Sequence, residues 1–520
     1  MRPDQGRFSL RVLGGLTLAL LWNVGQAQTL APTRTDRIQP YIDWRSLVTD
    51  NVNFAAAGKT RKDLINTVTP GISVMSRAPM LQWGGDLQVT QVNYVRESQP
   101  DRLLPRGLMS AHLGAAQDPL GLDASFEASQ TRSSFTQTLS NDAATQDTYT
   151  DYRARLIPSW NQRFGPLTEL RARAEHNWLI SKGNSSQLSQ RPNSQADNAN
   201  LMLRRAPAPL GADLSGEAQR SQINGQSEPA LMRSALRAGL AYAPSPELEL
   251  GLILGTERTK VPLNATTDPI RGWRVRFRPI ERSQLDVQVE FHGYGQTWQG
   301  AISHRNPGFS LTLQTQRSAE TGTTSIGRTP AGMSLRDALD AMLTSRISSP
   351  AERGQAVDNL IAQRNLNANG TGSRDLYDLS AQLKEMTSAR LTLLGKHNAL
   401  SLTAGMSRAR PLSLGPTDSL NLSTNTLAKE YFVDTQYGQD LSPFLKWSLG
   451  MRYARASALT GNNGAQLATL SRELAWTSAI DWRLSPEASI TLGLRRLASH
   501  RDAQTSTVSN ELYGGLGYRF

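Results

Sequence analysis

Eight arginines offer the clearest chemistry in this sequence. Arg233, Arg237, Arg274, Arg276, Arg278, Arg452, Arg483 and Arg495 each stand at an alternate position opposite an apolar row. They belong to a strong bias, since the chain holds 48 Arg and only 8 Lys. A guanidinium stays charged when partly dehydrated and grips carboxylate or phosphate through two parallel hydrogen bonds. Opposed carboxylates on neighbouring segments, such as Asp286 and Glu290 after Arg274, Arg276 and Arg278, would make these arginines braces within a wall. A surplus left unpaired would instead select an anionic solute, for example an acidic polysaccharide.

Other chemistry is sparse. The six His (His112, His176, His292, His304, His397 and His500) are scattered, with no pair at metal-ligand spacing on one segment. The sequence has no nucleophile elbow, phosphate loop, H-E-x-x-H or calcium loop. With no Cys, a thiolate metal site, a cysteine nucleophile and a disulfide scaffold are all excluded. No cofactor, metal or enzymatic activity is expected.

The elements that must position the arginines show a period of two. Leu81, Trp83, Gly85, Leu87 and Val89 alternate with Gln82, Gly84, Asp86 and Gln88. The same pattern recurs over Leu248–Gly255, Trp273–Arg278, Leu285–His292 and Leu445–Tyr453. A soluble sandwich also alternates, so other features decide. All nine Trp beyond residue 27 fall on the apolar faces, as interfacial girdles of a membrane barrel require. Hydrophobic residues are only 38% of the chain, yet alternate positions are fully apolar, which suits lipid outside and water inside. The polar faces are too charged for a dry core, as Glu169, Arg171, Arg173 and Glu175 on one segment illustrate. The expected fold is all-β, a transmembrane antiparallel β-barrel.

Short Pro, Gly or polar turns at 76–79, 117–121, 164–167, 206–210, 243–247, 280–284, 305–308, 395–398, 440–444 and 485–487 separate paired strands. With longer polar stretches between them, ten such turns predict about 22 strands, within a range of 18–22, with short turns periplasmic and long loops outside. From 321 to 374 the period becomes helical. Ser334 with Asp337 forms a capping box before Leu335, Leu339 and Leu343, and a second start at Ser349-Pro350 precedes Leu360 and Ile361. This insertion is either a cap on an external loop or a plug folded into the lumen.

Residues 1–27 read as a secretory signal, with Arg2, Arg7 and Arg11 ahead of an apolar run and a small-residue site at Gly25-Gln26-Ala27. Residues 28–520 would then form the barrel, in the outer membrane of a Gram-negative bacterium. The whole chain carries a formal charge of +12, but a chain that has left the cytoplasm has no nucleic acid to meet. Leu516, Tyr518 and the terminal Phe520 resemble the last-strand signal read by the barrel-assembly machinery, which joins the lipid bilayer as an expected partner.

Several stretches are similar to an outer-membrane β-barrel family associated with the PEP-CTERM/exosortase system and found beside exopolysaccharide gene clusters. They are Thr49–Asn53 with Asn66–Ile72, then Phe164-Gly165, and above all Leu343–Arg353 leading into Leu360–Arg364. The likeness runs in order through most of the chain and is weakest around 184–230. It implies a passive conduit or accessory barrel for exopolysaccharide export, with an anionic polysaccharide and periplasmic export components as partners. That family has no established catalytic residues to carry over. A general small-solute porin is one alternative, and a non-transporting barrel that anchors extracellular matrix is another.

Overall fold

In a computed structural model, the structure describes residues 35–78, 80–114, 118–132, 148–183, 193–225, 229–261, 264–320, 381–412, 427–460, 467–501 and 506–520, with 339, 342, 343 and 357. Twenty-two antiparallel strands form one sheet, from β1 (Thr35–Thr49) to β22 (Thr507–Arg519). Each strand pairs with its neighbour in sequence, and β1 also pairs with β22, Trp44 opposite Leu516, so the sheet closes on itself. Closure leaves no edge whose N–H and C=O groups would be stranded in hydrocarbon.

The alternation read from the sequence becomes the inside and outside of this barrel. Trp44, Leu252, Leu254, Trp273, Tyr453, Leu492 and Leu516 face outward and are exposed. Each of the nine Trp lies on this outward face. Their polar atoms find cross-strand partners: Trp298 Nε1 donates to Thr315 Oγ1 at 2.9 Å, and Trp447 Nε1 to Ser478 Oγ at 2.9 Å. Trp83, Trp160, Trp447 and Trp482 lie near the strand ends that carry the short turns, whereas Trp44, Trp178, Trp298 and Trp476 lie well above them. Two aromatic levels flanking an apolar band are the outer surface of a transmembrane barrel.

All ten short turns fall where the sequence places them, and they share one end of the barrel with the start of β1 and the end of β22. Gly165 meets one of them with a φ of 74°, a conformation that disfavours any side chain. This is the periplasmic end by the usual asymmetry of such barrels. The opposite end departs from the expected run of long loops. β11 (Leu248–Val261) and β12 (Asn264–Ile280) are separated by two residues only. So are β13 (Ser283–His292) and β14 (Gly295–Asn306), joined by Gly293-Tyr294. Thr49–Asn53, part of the family likeness, is mostly the loop after β1. There Asn51 is buried, its Nδ2 donating to the carbonyls of Ala55 and Val508, both at 2.8 Å.

Toward the outer end the inner surface turns apolar. Leu47, Val52, Ile65, Val92, Tyr94 and Leu104 form one buried cluster, and Leu179, Ile223 and Ala230 another. A third cluster at the outer end joins Leu231, Val261 and Tyr294 to Leu383 and Leu412, with Leu383 at an outward position of its strand. Below this collar lies the charged zone.

Candidate functional site

The charged zone is ordered by strand. β8 (Ser194–Arg205) presents Arg204 to the lumen and β9 (Leu210–Ile223) presents Asp213 and Glu217. β10 (Leu231–Ser245) follows with Arg233 and Arg237, and β11 with Glu249 and Glu257. β12 carries Arg274 and Arg276, and β13 carries Asp286 and Glu290. The sign of the charge therefore switches from each of these strands to the next.

The ion pairs follow. Arg233 meets Glu217 at 2.7 Å and Glu257 at 3.4 Å, and Arg237 bridges Glu217 at 3.1 Å and Glu290 at 3.0 Å. Arg274 holds Asp213 at 2.8 Å and Glu249 at 3.4 Å. Arg276 joins Glu249 at 2.9 Å to Asp286 at 2.7 Å, and Arg204 adds a second guanidinium to Glu249 at 2.9 Å. His292 closes the upper edge, Nδ1 against Glu257 at 2.7 Å and Nε2 against Thr297 Oγ1 at 2.9 Å.

Three of these contacts cross a pair of intervening strands, one of them from Arg204 on β8 to Glu249 on β11. Arg274 on β12 reaches Asp213 on β9, and Arg237 on β10 reaches Glu290 on β13. Strands ~4.8 Å apart put the backbones of such partners roughly 14 Å from one another, so both side chains must lie flat along the wall. Glycine makes room at each step of the Arg274 and Arg237 contacts. Asp213 is opposite Gly239 and Arg274 opposite Gly251, while Arg237 is opposite Gly255 and Glu290 opposite Gly272. A Cβ on Gly239 would come within 2.6 Å of Asp213 Oδ2, and one on Gly272 within 3.1 Å of Glu290 Cγ. These four glycines were not among the candidate residues. Their only sequence signal is Gly at an inward position of a strand, which alone suggests no more than a small side chain.

Elsewhere Arg452 on β19 (Leu445–Thr460) pairs with fully buried Glu430 at 3.4 Å, and Arg495 on β21 (Ala488–Arg501) pairs with Glu511. Six of the eight candidate arginines are thus held by carboxylates. Arg278 and Arg483 lie at the periplasmic rim, exposed, with no carboxylate partner among the described residues. Arg278 follows a register shift after Phe277, so strict alternation does not extend to it. The bracing arrangement accounts for this wall, and an uninterrupted anion-binding row is not what the arginines make.

Of the insertion candidates, Leu335, Leu360 and Ile361 lie outside the described residues, as does the signal at 1–27. Leu339 and Leu343 are described, with Met342 and Val357, and all four have helical backbone. They are buried together against Ala399 and Leu394. Those partners are an in-register pair on β16 (Gln382–Leu394) and β17 (Asn398–Pro411), beside the periplasmic turn at 395–397. Ala399 shares the inward face with buried Ser401 and Thr403. A segment that leaves β15 (Phe309–Glu320) at the outer end therefore packs on the inner wall near the opposite end. Beside β1 and β22, a cavity of about 340 Å³ is lined by Asp43, Arg45, Gln88, Arg106 and Thr491 among others.

The assembly-signal residues end the barrel. Leu516 and Tyr518 face outward on β22, Tyr518 meets the Phe520 ring edge-on at 4.9 Å, and the Phe520 N–H donates to the Pro40 carbonyl at 2.9 Å.

No protein-family model and no curated protein matches the chain. Solved structures do resemble it. The FrpB iron transporter of Neisseria meningitidis is 10% identical with a TM-score of 0.39, over 93% of this chain and 81% of that one. The siderophore receptor PirA of Pseudomonas aeruginosa is 10% identical with a TM-score of 0.37, over 94% and 81%. The outer membrane protein OpdK of the same organism is 9% identical with a TM-score of 0.33, over 93% and 98%. The fold assignment stands on the strand pairing itself.

Proposed function

We propose that this chain is a gated outer-membrane conduit for a secreted polysaccharide, closed at rest by its own insertion. The observation that carries the gate is the seat of Leu339, Met342, Leu343 and Val357 against Ala399 and Leu394. A barrel of 22 strands is wide enough to need a plug if the membrane is to stay sealed. The four seated residues belong to the insertion that follows the outer end of β15, yet they pack near the periplasmic end.

The wall suits a hydrated glycan. Its arginines and carboxylates are paired, so they offer hydrogen-bonding groups at close spacing without a net field to trap a charged chain. The polysaccharide itself rests on the resemblance to the exopolysaccharide-associated family, whose most specific stretch, Leu343–Arg353, begins at one of the seated residues. Periplasmic export components would dock at the short turns, where Arg278 and Arg483 are exposed.

Deletion of the gene in a polymer-producing host tests this reading. A conduit leaves polymer trapped in the periplasm. An anchoring barrel gives normal export with polymer lost from the surface. A small-solute porin alters neither and changes permeability to small anions instead.

A further inference from the structure

The paired lumen leaves the excess of cations unexplained, and the outer surface accounts for it. On the outward face of β15 to β21, Arg317, Arg408, Arg410, Lys429, Arg455, Arg472 and Arg496 stand against one carboxylate, Glu385. All of them lie in the half of their strands farther from the periplasm. Below them, down to the turns, the outward positions of the same strands are uncharged. Arg455 and Arg472 lie about ten residues above the periplasmic ends of their strands. At ~3.3 Å per residue and a tilt near 40°, that is roughly 25 Å, the height of a barrel's apolar band. The cations therefore stand at the outer headgroup level, beside the exposed outward rings of Tyr431 and Tyr453.

Their register is unfavourable without a counter-ion. Arg408 stands in register between Glu385 and Lys429, and Arg455 is the direct cross-strand partner of Arg472, which in turn faces His500. Like charges directly opposite one another destabilise a sheet. Arg408, Arg455, Arg472 and Arg496 are exposed, and among the described residues none of them makes an ion pair. From this we infer that the outer rim of β17 to β21 is a binding surface for a phosphorylated lipid of the outer leaflet, with Arg408, Lys429, Arg455 and Arg472 gripping its phosphate groups. The guanidinium fork matches phosphate, and an acyl chain below it would lie on the uncharged band. This surface is independent of what the lumen carries.

The test is native mass spectrometry of the full-length refolded barrel in a zwitterionic detergent. It is titrated with diphosphorylated lipid A, with the same lipid stripped of phosphate, and with inorganic phosphate as competitor. The expected result is retention of lipid A by the native chain and at least ~10-fold weaker binding by R408S/K429S/R455S/R472S, given that each cation at an anionic surface contributes on the order of 1 kcal/mol. The stripped lipid should bind as weakly, and millimolar inorganic phosphate should not displace lipid A. Equal affinity of the variant, equal binding of the stripped lipid, or ready displacement by inorganic phosphate would each overturn the assignment. Heat-modifiable gel mobility reports folding. If the quadruple variant does not fold, R455S/R472S carries the same comparison, with a several-fold loss expected.

Discussion

The glycines opposite the long ion pairs give the sharpest prediction among single residues. Gly239 exists so that Asp213 can lie across β10 toward Arg274. A leucine there would push the carboxylate off the wall and leave the half-buried guanidinium of Arg274 with Glu249 alone. G239L should therefore cost about as much as D213A, on the order of 2–4 kcal/mol, because both remove one partner of a buried charge pair. Combined, they should cost little more than either alone. Urea-induced unfolding of the refolded barrel measures all three, and fully additive costs would show that Gly239 acts otherwise. Glu290→Ala leaves Arg237 with Glu217 only and should destabilise by a similar amount, whereas removing exposed Arg483 should change stability by less than ~0.5 kcal/mol.

Strands and turns were legible because their signals are local. Each of the ten turns carries its own Pro, Gly or polar run, and a period of two recurs between them, so the count of 22 follows from adjacent residues. The bracing of Arg276 by Asp286 was legible for the same reason, since their strands are consecutive. The seat of the insertion was not. Leu339 meets Ala399 across sixty positions of chain, and nothing near either residue distinguishes a plug from an external cap. The outward basic rim was hidden differently: arginines at Arg452 and Arg455 sit three apart on one strand, so they face opposite sides, and the residue type gives no hint of which side matters. At this scale the prediction concerns the plug. Leu339→Asp with Val357→Asp puts two carboxylates into a fully buried apolar cluster, each costing a few kcal/mol unless the segment leaves the wall. The barrel should keep its strands by circular dichroism while its resting conductance rises. Unchanged conductance would mean that this contact does not hold the lumen shut.

For the whole molecule, the distribution of charge separates two roles that the composition merges. The luminal cations of β8 to β13 are matched by carboxylates, and a row of unmatched cations lies on the outside near the outer headgroups. An opened lumen should therefore prefer anions only weakly, by no more than a few-fold in reversal-potential measurements under a salt gradient. Strong anion selectivity would return the luminal arginines to the role of a filter. The central claim is that a barrel of this width is shut by its own insertion. Planar-bilayer conductance tests it most directly, comparing the full chain with one in which residues 325–372 are replaced by a short Gly/Ser loop. The account predicts a nearly silent full chain and a large, steady pore after the replacement. Equal silence from both, with each folded, would contradict it and leave a barrel closed by its own wall, fit to anchor material and unable to pass it.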